Sequence, residues 1–311
     1  MQRQLRPILL ALIALALAVA TLAAAGAVFV SQPGATPTLS PEADVPATEL
    51  WKTAVTVGHT RLNDDEEREL CTNASGGLVG STDTVVTAEH VVNWSKEDER
   101  LCPGATLWVG YNFDPKAEYF IWWPAEVRRE SVDLDLAVLT VDLGAEPWIE
   151  GDSIDFSPLF AGNWPTLDVA RMEEEPRLGD PLKLYSFPGI AGYAVTYSSG
   201  SLAGWAYDDM TDTLAGIMKL DLNLAGGSSG GAVLDSRGRM VGVAVMAGVS
   251  RYPDGDERDD WDWVDCRQAA DTNGDELITD KDTCLPIGGF FNGAVSLFPL
   301  RQFLIGTGVT W

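Results

Sequence analysis

From Trp51 onward the apolar residues fall in short runs rich in Val, Leu, Thr and aromatic side chains: AVTVGH, GGLVGS, TVVTAEHVV, ATLWVGY, LAVLTV, LKLYSF, AVTYSSGSLAG, GIMKLDL, GAVLD and MVGVAVMAG. Gly, Pro, Asn or Asp stand between them. Side chains branched at Cβ fit a pleated surface better than a helix, and short runs so punctuated, without strand–helix alternation, predict an all-β sandwich or barrel. Only FPLRQFLIG, near the end, predicts a short closing helix. No repeat of fixed period is visible.

The first fifty residues break this pattern. Arg3 and Arg6 precede an uncharged apolar stretch from Pro7 to Val30. Small residues at Ala23, Ala25 and Ala27 suit signal cleavage, yet the stretch is also long enough for a membrane-spanning helix. Residues 1–30 are therefore a signal peptide or an amino-terminal anchor, and either one exports the rest of the chain, since the arginines stay on the cytoplasmic side. Residues 31–50, rich in Pro, Thr and Ala, predict a linker, and residues 51–311 the folded domain. The formal net charge of −25 disfavours nucleic acid and anionic membrane surfaces as partners. It suits a salty or calcium-rich medium, or steering of cationic ligands. Four cysteines fit export. They permit three connectivities, of which the sequence-local one, Cys71–Cys102 with Cys266–Cys284, is favoured. Zinc is disfavoured, because no C-x-x-C pair exists and His59 and His90, the two histidines, stand apart from the cysteines.

Three segments carry candidate chemistry, in the order His, Asp, Ser: Thr87-Ala88-Glu89-His90, Asp133-Leu134-Asp135-Leu136-Ala137-Val138-Leu139 and Gly226-Gly227-Ser228-Ser229-Gly230-Gly231. A serine hydroxyl is a poor nucleophile until a base takes its proton, and a neutral imidazole does this near pH 7. A carboxylate must fix the imidazole tautomer and stabilise the cation that forms. Glycines around Ser229 let the backbone turn so that the amides of Gly227 and Ser229 converge as an oxyanion hole. Gly230 and Gly231 are expected to leave room for substrate backbone.

These segments resemble the T-A-A-H, D-[LI]-A-[VL]-L and G-x-S-G-G-[PA] signatures of the trypsin-like serine proteases, and their order matches too. The resemblance implies a double six-stranded β-barrel, and a catalytic triad of His90, Asp135 and Ser229. Further matches resemble the bacterial HtrA/DegP-like branch: Gly179-Asp180-Pro181-Leu182 through Phe187-Pro188, Gly200-Ser201-Leu202, Asp221, and Gly238-Arg239-Met240-Val241-Gly242-Val243. The likeness spans roughly residues 52–248 and 286–306. The chain departs from the pattern at Glu89, where a small residue is usual, and at Ser228, where zymogens of the family carry Asp. With no I-V-G-G-like segment either, activation by a freed amino terminus is not expected, and neither is a following PDZ-like region. Asp133 is the rival acid, expected on the same side of a strand as Asp135. His59 is the rival base, expected to be an ordinary half-exposed histidine. In the family register Asn223 lies at the base of the primary specificity pocket, with Val245, Met246 and Ala247 on its wall. No buried charge answers Lys or Arg there, so an apolar P1 side chain is expected.

Residues 249–287 form an acidic loop insert. Within it Asp271, Asn273, Asp275, Leu277 and Asp282 have the spacing of EF-hand and, more closely, dockerin calcium loops, with alternate oxygen donors able to converge on a hard cation. Glu276 stands where Gly is usual, and Asp282 where EF-hands carry Glu. A structural calcium is therefore expected in the insert, and no cofactor for catalysis. Asn73 and Asn93 head glycosylation sequons. The reading is an exported serine endopeptidase acting on protein or peptide substrates, with a membrane tether through residues 7–30 if the segment is kept. The alternative is a catalytically silent, calcium-dependent binding module. An ester hydrolase of the nucleophile-elbow kind is disfavoured, since that class runs in the order Ser, Asp, His within strand-turn-helix surroundings.

Overall fold

The computed structural model describes residues 46–246, except 64, 94–101, 117–119, 151–154, 162–163, 190–193 and 209–212, together with 266–267, 285–286 and 292–311. A 3-10 turn at Leu50–Thr53 leads into β1 (Ala54–Leu62), followed by β2 (Arg68–Leu78), β3 (Thr84–Thr87), β4 (Thr106–Asn112), β5 (Phe120–Ser131), β6 (Leu136–Val141) and β7 (Trp148–Glu150). Six of these run in the order β4-β1-β2-β3-β6-β5, and pairing of β5 back onto β4 closes a barrel, with β7 added outside β5. β8 (Pro181–Ser186), β9 (Thr196–Asp208), β10 (Thr213–Leu220), β11 (Ala232–Leu234), β12 (Met240–Met246) and β15 (Asn292–Val295) close a second barrel in the order β10-β15-β12-β11-β8-β9. Between them in sequence, β13 (Cys266–Arg267) pairs with β14 (Leu285–Pro286). The α-helices among the described residues are single turns at α1 (Glu89–Val92) and α2 (Ser157–Phe160), and the closing helix α3 (Leu297–Leu304). The expected double six-stranded barrel with a short carboxy-terminal helix is the observed fold.

Closure matters because it leaves few unpaired strand edges. The β-branched runs fill the interiors: every residue of β3 is buried, as are Val55 and Val57 of β1 and Leu136, Val138 and Val141 of β6. Tyr111 and Trp123 meet edge to face in the first barrel, with ring centroids 5.3 Å apart. The predicted Cys71–Cys102 disulfide is formed, with a Cα–Cα separation of 6.2 Å, and ties β2 to the approach of β4.

The connection between the barrels is itself paired to both. Leu167 donates its amide to Leu78 O (2.8 Å) and accepts from the Gly80 amide (3.3 Å). Three residues on, Ala170 donates to Met240 O (2.9 Å), and Met240 donates to Asp168 O (2.8 Å). Leu167 and Val169 are buried while Asp168 is exposed, an alternation of period two. Helix α3 buries Leu297, Leu300, Phe303 and Leu304, and the residue after it, Ile305, accepts from Arg129 of the first barrel at 2.8 Å.

Among the described residues no helix is long and apolar enough to cross a membrane. The candidate leader and anchor, residues 1–30, and the linker up to residue 45 lie outside the described residues, as do Ala247, Cys284 and the calcium-loop residues Asp271, Asn273, Asp275, Leu277 and Asp282.

Candidate active site

β3 ends at Thr87, and the chain turns into the single helical turn α1, so His90 stands on a helix rather than at the end of a strand. Asp135 stands immediately before β6, at the last position of a turn in which its amide donates to Val132 O (3.1 Å). Its φ is +49°, a left-handed conformation that Asp tolerates better than most residues. β3 and β6 are hydrogen-bonded neighbours, with Thr87 opposite Ala137. That register places the start of α1 beside the turn before β6. The His90 amide donates to Asp135 Oδ1 (2.9 Å), and His90 Nδ1 lies 3.0 Å from Oδ1 and 2.8 Å from Oδ2.

The hydrogen bond that His90 donates to Asp135 raises the His90 pKa above the ordinary 6.5, partial burial opposes this, and the negative charges of Asp135 and Glu89 add to the rise. Burial alone would raise the Asp135 pKa. The hydrogen bonds from the His90 side chain and amide, and from the Glu89 amide, outweigh it and hold the carboxyl below its usual range. An ionised carboxylate only accepts, so Nδ1 carries the proton, which leaves Nε2 of the neutral ring with the lone pair a base needs.

Asp133 does not share a strand face with Asp135, contrary to expectation. Residues 132–135 form a turn to which strand alternation does not apply, and Asp133 is exposed. His59 is not half-exposed either. It is buried on β1, opposite Thr72 and Leu107 of the neighbouring strands. Glu89, the residue the sequence marks as unusual, is buried beside His90 and accepts from the Asn93 side chain.

The loop carrying Ser229 joins β10 to β11 in the second barrel and packs onto the His90 segment of the first. Ser229 O accepts from the Ser75 amide of β2 at 2.8 Å. A methyl group at Gly230 would stand 2.0 Å from Thr87 Oγ1 and 2.1 Å from Ser75 O, and Gly230 has φ +83°. Gly231 faces Leu184 and Ser186 of its own barrel. These two glycines thus serve close packing at the seam and within the second barrel, not clearance for substrate as expected.

The direction of the candidate oxyanion donors follows from peptide geometry. In a planar trans peptide the C=O and N–H point opposite ways. Gly226 O accepts from the Gly189 amide (3.0 Å), and Ser228 O from the Gly231 amide (3.1 Å), which turns the amides of Gly227 and Ser229 the other way. Neither of those amides donates to an oxygen of the described residues. Gly227 has φ +94°, and a side chain there would meet Phe187 O at 2.5 Å. Ser228 is buried, and its hydroxyl takes the Ala225 amide (3.3 Å) and the Ser186 hydroxyl (3.2 Å), a neutral arrangement where zymogens of the family would carry a charge.

The family profile described as a trypsin-like peptidase domain matches residues 74–243, more than half of the chain. The chain belongs to that family. No curated protein matches it. The matched part of the trypsin-like peptidase domain contains His90, Asp135 and Ser229 and ends before the acidic insert. Of the expected pocket residues, Asn223 is exposed and donates its amide to Ser198 Oγ (3.0 Å), Val245 is buried on β12, and Met246 ends β12 opposite Gly293 of β15. Sequence reasoning gave no site role to Ser75, Gly189 and Ser198, because a hydroxyl or glycine within a strand or turn carries no signature of its own.

The Gly230 contacts yield a direct test. Gly230→Ala is expected to lower unfolding free energy by about 2 kcal/mol or more, from strain at positive φ and displacement of Thr87 and Ser75. Urea melts of the variant beside the parent measure it, and an unchanged midpoint would contradict the packing described.

Proposed function

We propose that this trypsin-like peptidase domain is an exported serine endopeptidase with Ser229 as nucleophile, His90 as general base and Asp135 as the carboxylate that orients it. The observation that carries the reading is the bond between ionised Asp135 and His90 Nδ1, at the place where the Ser229 loop locks onto the segment leading into His90. In the reaction Ser229 Oγ attacks the scissile carbonyl carbon while His90 Nε2 takes the hydroxyl proton. Negative charge moves to the carbonyl oxygen, where the Gly227 and Ser229 amides stabilise it by about 3 kcal/mol per donor. Collapse of the tetrahedral adduct breaks the C–N bond, and His90 returns the proton to the leaving amine. Water then hydrolyses the acyl-enzyme by the same steps in reverse roles.

The finer resemblance to HtrA-like enzymes rests on the Gly179–Leu182, Gly200–Leu202 and Gly238–Val243 segments. Export rests on the charge-flanked apolar segment before residue 31, which is either cleaved or retained as a tether. Recovery of the chain from the cytoplasmic fraction of expressing cells would count against it. Structural calcium in the insert rests on the spacing of Asp271, Asn273, Asp275, Leu277 and Asp282.

A fluorophosphonate probe tests the nucleophile: Oγ–P forms, P–F breaks, and the proton goes to His90. The parent is expected to label and Ser229→Ala not to, with a calcium chelator slowing the labelling. Equal labelling of both would refute Ser229 as nucleophile, absent labelling of the parent would favour the binding-module reading, and indifference to the chelator would separate calcium from the cleft.

The raised His90 pKa fixes the sign of the pH dependence. Imidazolium cannot accept a proton, so kcat/KM is expected to rise with pH through a midpoint above 6.5. Asp135→Asn removes the anion that holds the charged ring, so the midpoint should fall while kcat drops on the order of 10⁴-fold. A midpoint that rises would contradict the pairing.

The neutral residues at the pocket positions the resemblance implies, Asn223, Val245, Met246 and Ala247, predict an apolar P1 side chain. Profiling on a P1-varied peptide library reads it, and a strict preference for Lys or Arg would refute it.

A further inference from the structure

Outside the triad, one enclosed residue bridges the nucleophile loop and the segment leading into His90. Ser75 of β2 is fully buried. Its amide donates to Ser229 O (2.8 Å), its hydroxyl donates to Gly227 O (2.7 Å), and that same hydroxyl accepts from the Phe187 amide (2.9 Å). Its carbonyl accepts from the Thr87 hydroxyl (2.7 Å), two residues from α1 and three from His90. A neighbouring strand residue, Asn73, adds a bond from its side-chain amide to Phe187 O (3.1 Å). A residue of the first barrel thus holds the nucleophile loop of the second at the two residues whose amides form the candidate oxyanion hole.

The bond to Gly227 O has a geometric consequence. Turned toward Ser75, that carbonyl sends the next N–H, of Ser228, the opposite way, where it donates to Ala225 O (2.9 Å). The peptide on the other side of Gly227 is fixed by Gly189, two residues beyond Phe187. Both peptides flanking Gly227 are therefore held, directly or through Phe187, by the Ser75 hydroxyl, and the chain accepts φ +94° between them because the residue is glycine.

We infer that Ser75 is a positioning residue: its hydroxyl keeps the Gly227 and Ser229 amides converged on the point where negative charge develops. The kinetic side of this rests on the endopeptidase reading, and the structural side on the hydrogen bonds alone. Without the hydroxyl, Gly227 O and the Phe187 amide both lose their partner in a place shut off from water, a condition a loop relieves by turning a peptide over. Turning the Gly227–Ser228 peptide changes the torsions on either side of it and so re-aims the adjoining amides of Gly227 and Ser229. Because those donors act on the transition state and not on bound substrate, the loss appears in kcat rather than KM.

The test compares Ser75→Ala with the parent, both as full-length chains. Amide hydrogen exchange is expected to quicken in peptides covering 185–189 and 225–231 and nowhere else. kcat is expected to fall roughly 100-fold, the lower edge of the loss when an oxyanion donor is removed, with KM unchanged. Affinity for a peptide aldehyde, whose adduct carries the oxyanion, should fall in step, while affinity for the matching product peptide stays the same. Unchanged exchange in both segments would overturn the inference, and so would equal losses of aldehyde and product affinity. If the parent hydrolyses nothing, the endopeptidase reading fails and the exchange result alone decides the role of Ser75. Should the alanine variant not fold, Ser75→Cys, a weaker donor and acceptor, enters the same measurements and the same outcomes decide.

Discussion

Two closed barrels satisfy their own strand edges, but the loops caught between them must find partners for their buried backbone N–H and C=O groups, within their own barrel or across the seam. The shape of this site follows from that requirement. The glycine-dense loop presents the carbonyls of Gly226, Gly227, Ser228 and Ser229 in succession, and each is met by a donor: the Gly189 amide, the Ser75 hydroxyl, the Gly231 amide and the Ser75 amide. With four carbonyls committed, the loop has little freedom left. The amides of Gly227 and Ser229 are what remains to face a ligand, and closeness to the His90 segment comes with the same contacts.

Charge is used sparingly within this frame. The contact between His90 and the Asp135 carboxylate is partly exposed, with side-chain exposures of 47% and 31%. Its role is therefore to set a tautomer and a proton affinity rather than to stabilise the fold. The loop itself is held by neutral groups, Ser75, Ser186 and Ser228, so its conformation does not hang on the ionisation of any side chain that touches it. Glu89 is the exception in the vicinity, an enclosed carboxylate whose field adds to the proton affinity of His90.

The strands and the barrel class were legible because alternation and β-branching act locally, residue by residue. The family signatures located His90, Asp135 and Ser229 because the residue types and their local settings travel together. What stayed illegible depends on tertiary position. Asp133 was read by strand alternation, but Asp135 closes a turn, and nothing in DLDLAVL marks where the turn stops and β6 begins. Gly230 and Gly231 were read as clearance for a ligand, whereas the space they leave is filled by Thr87, Ser75, Leu184 and Ser186. His59 is buried although GHTRL has the polarity of a surface strand, because β1 pairs on both edges and lines a barrel. Ser75, in TNASGG, looks like any small strand residue. A clue was available in its neighbours: a hydroxyl followed by two glycines inside a strand marks a place where another backbone comes close.

The paired connection between the barrels limits how the chain can change length. Leu167 and Val169 face inward and Asp168 outward, while the hydrogen bonds of this stretch count off positions against Leu78 on one side and Met240 on the other. A strand read by two partners at once behaves as a vernier. One added or lost residue inside it would turn both apolar side chains to solvent and slide one barrel by a step relative to the other. Variation in length is therefore expected in the connections outside that stretch. The spacing from the His90 barrel to the Ser229 barrel is left untouched.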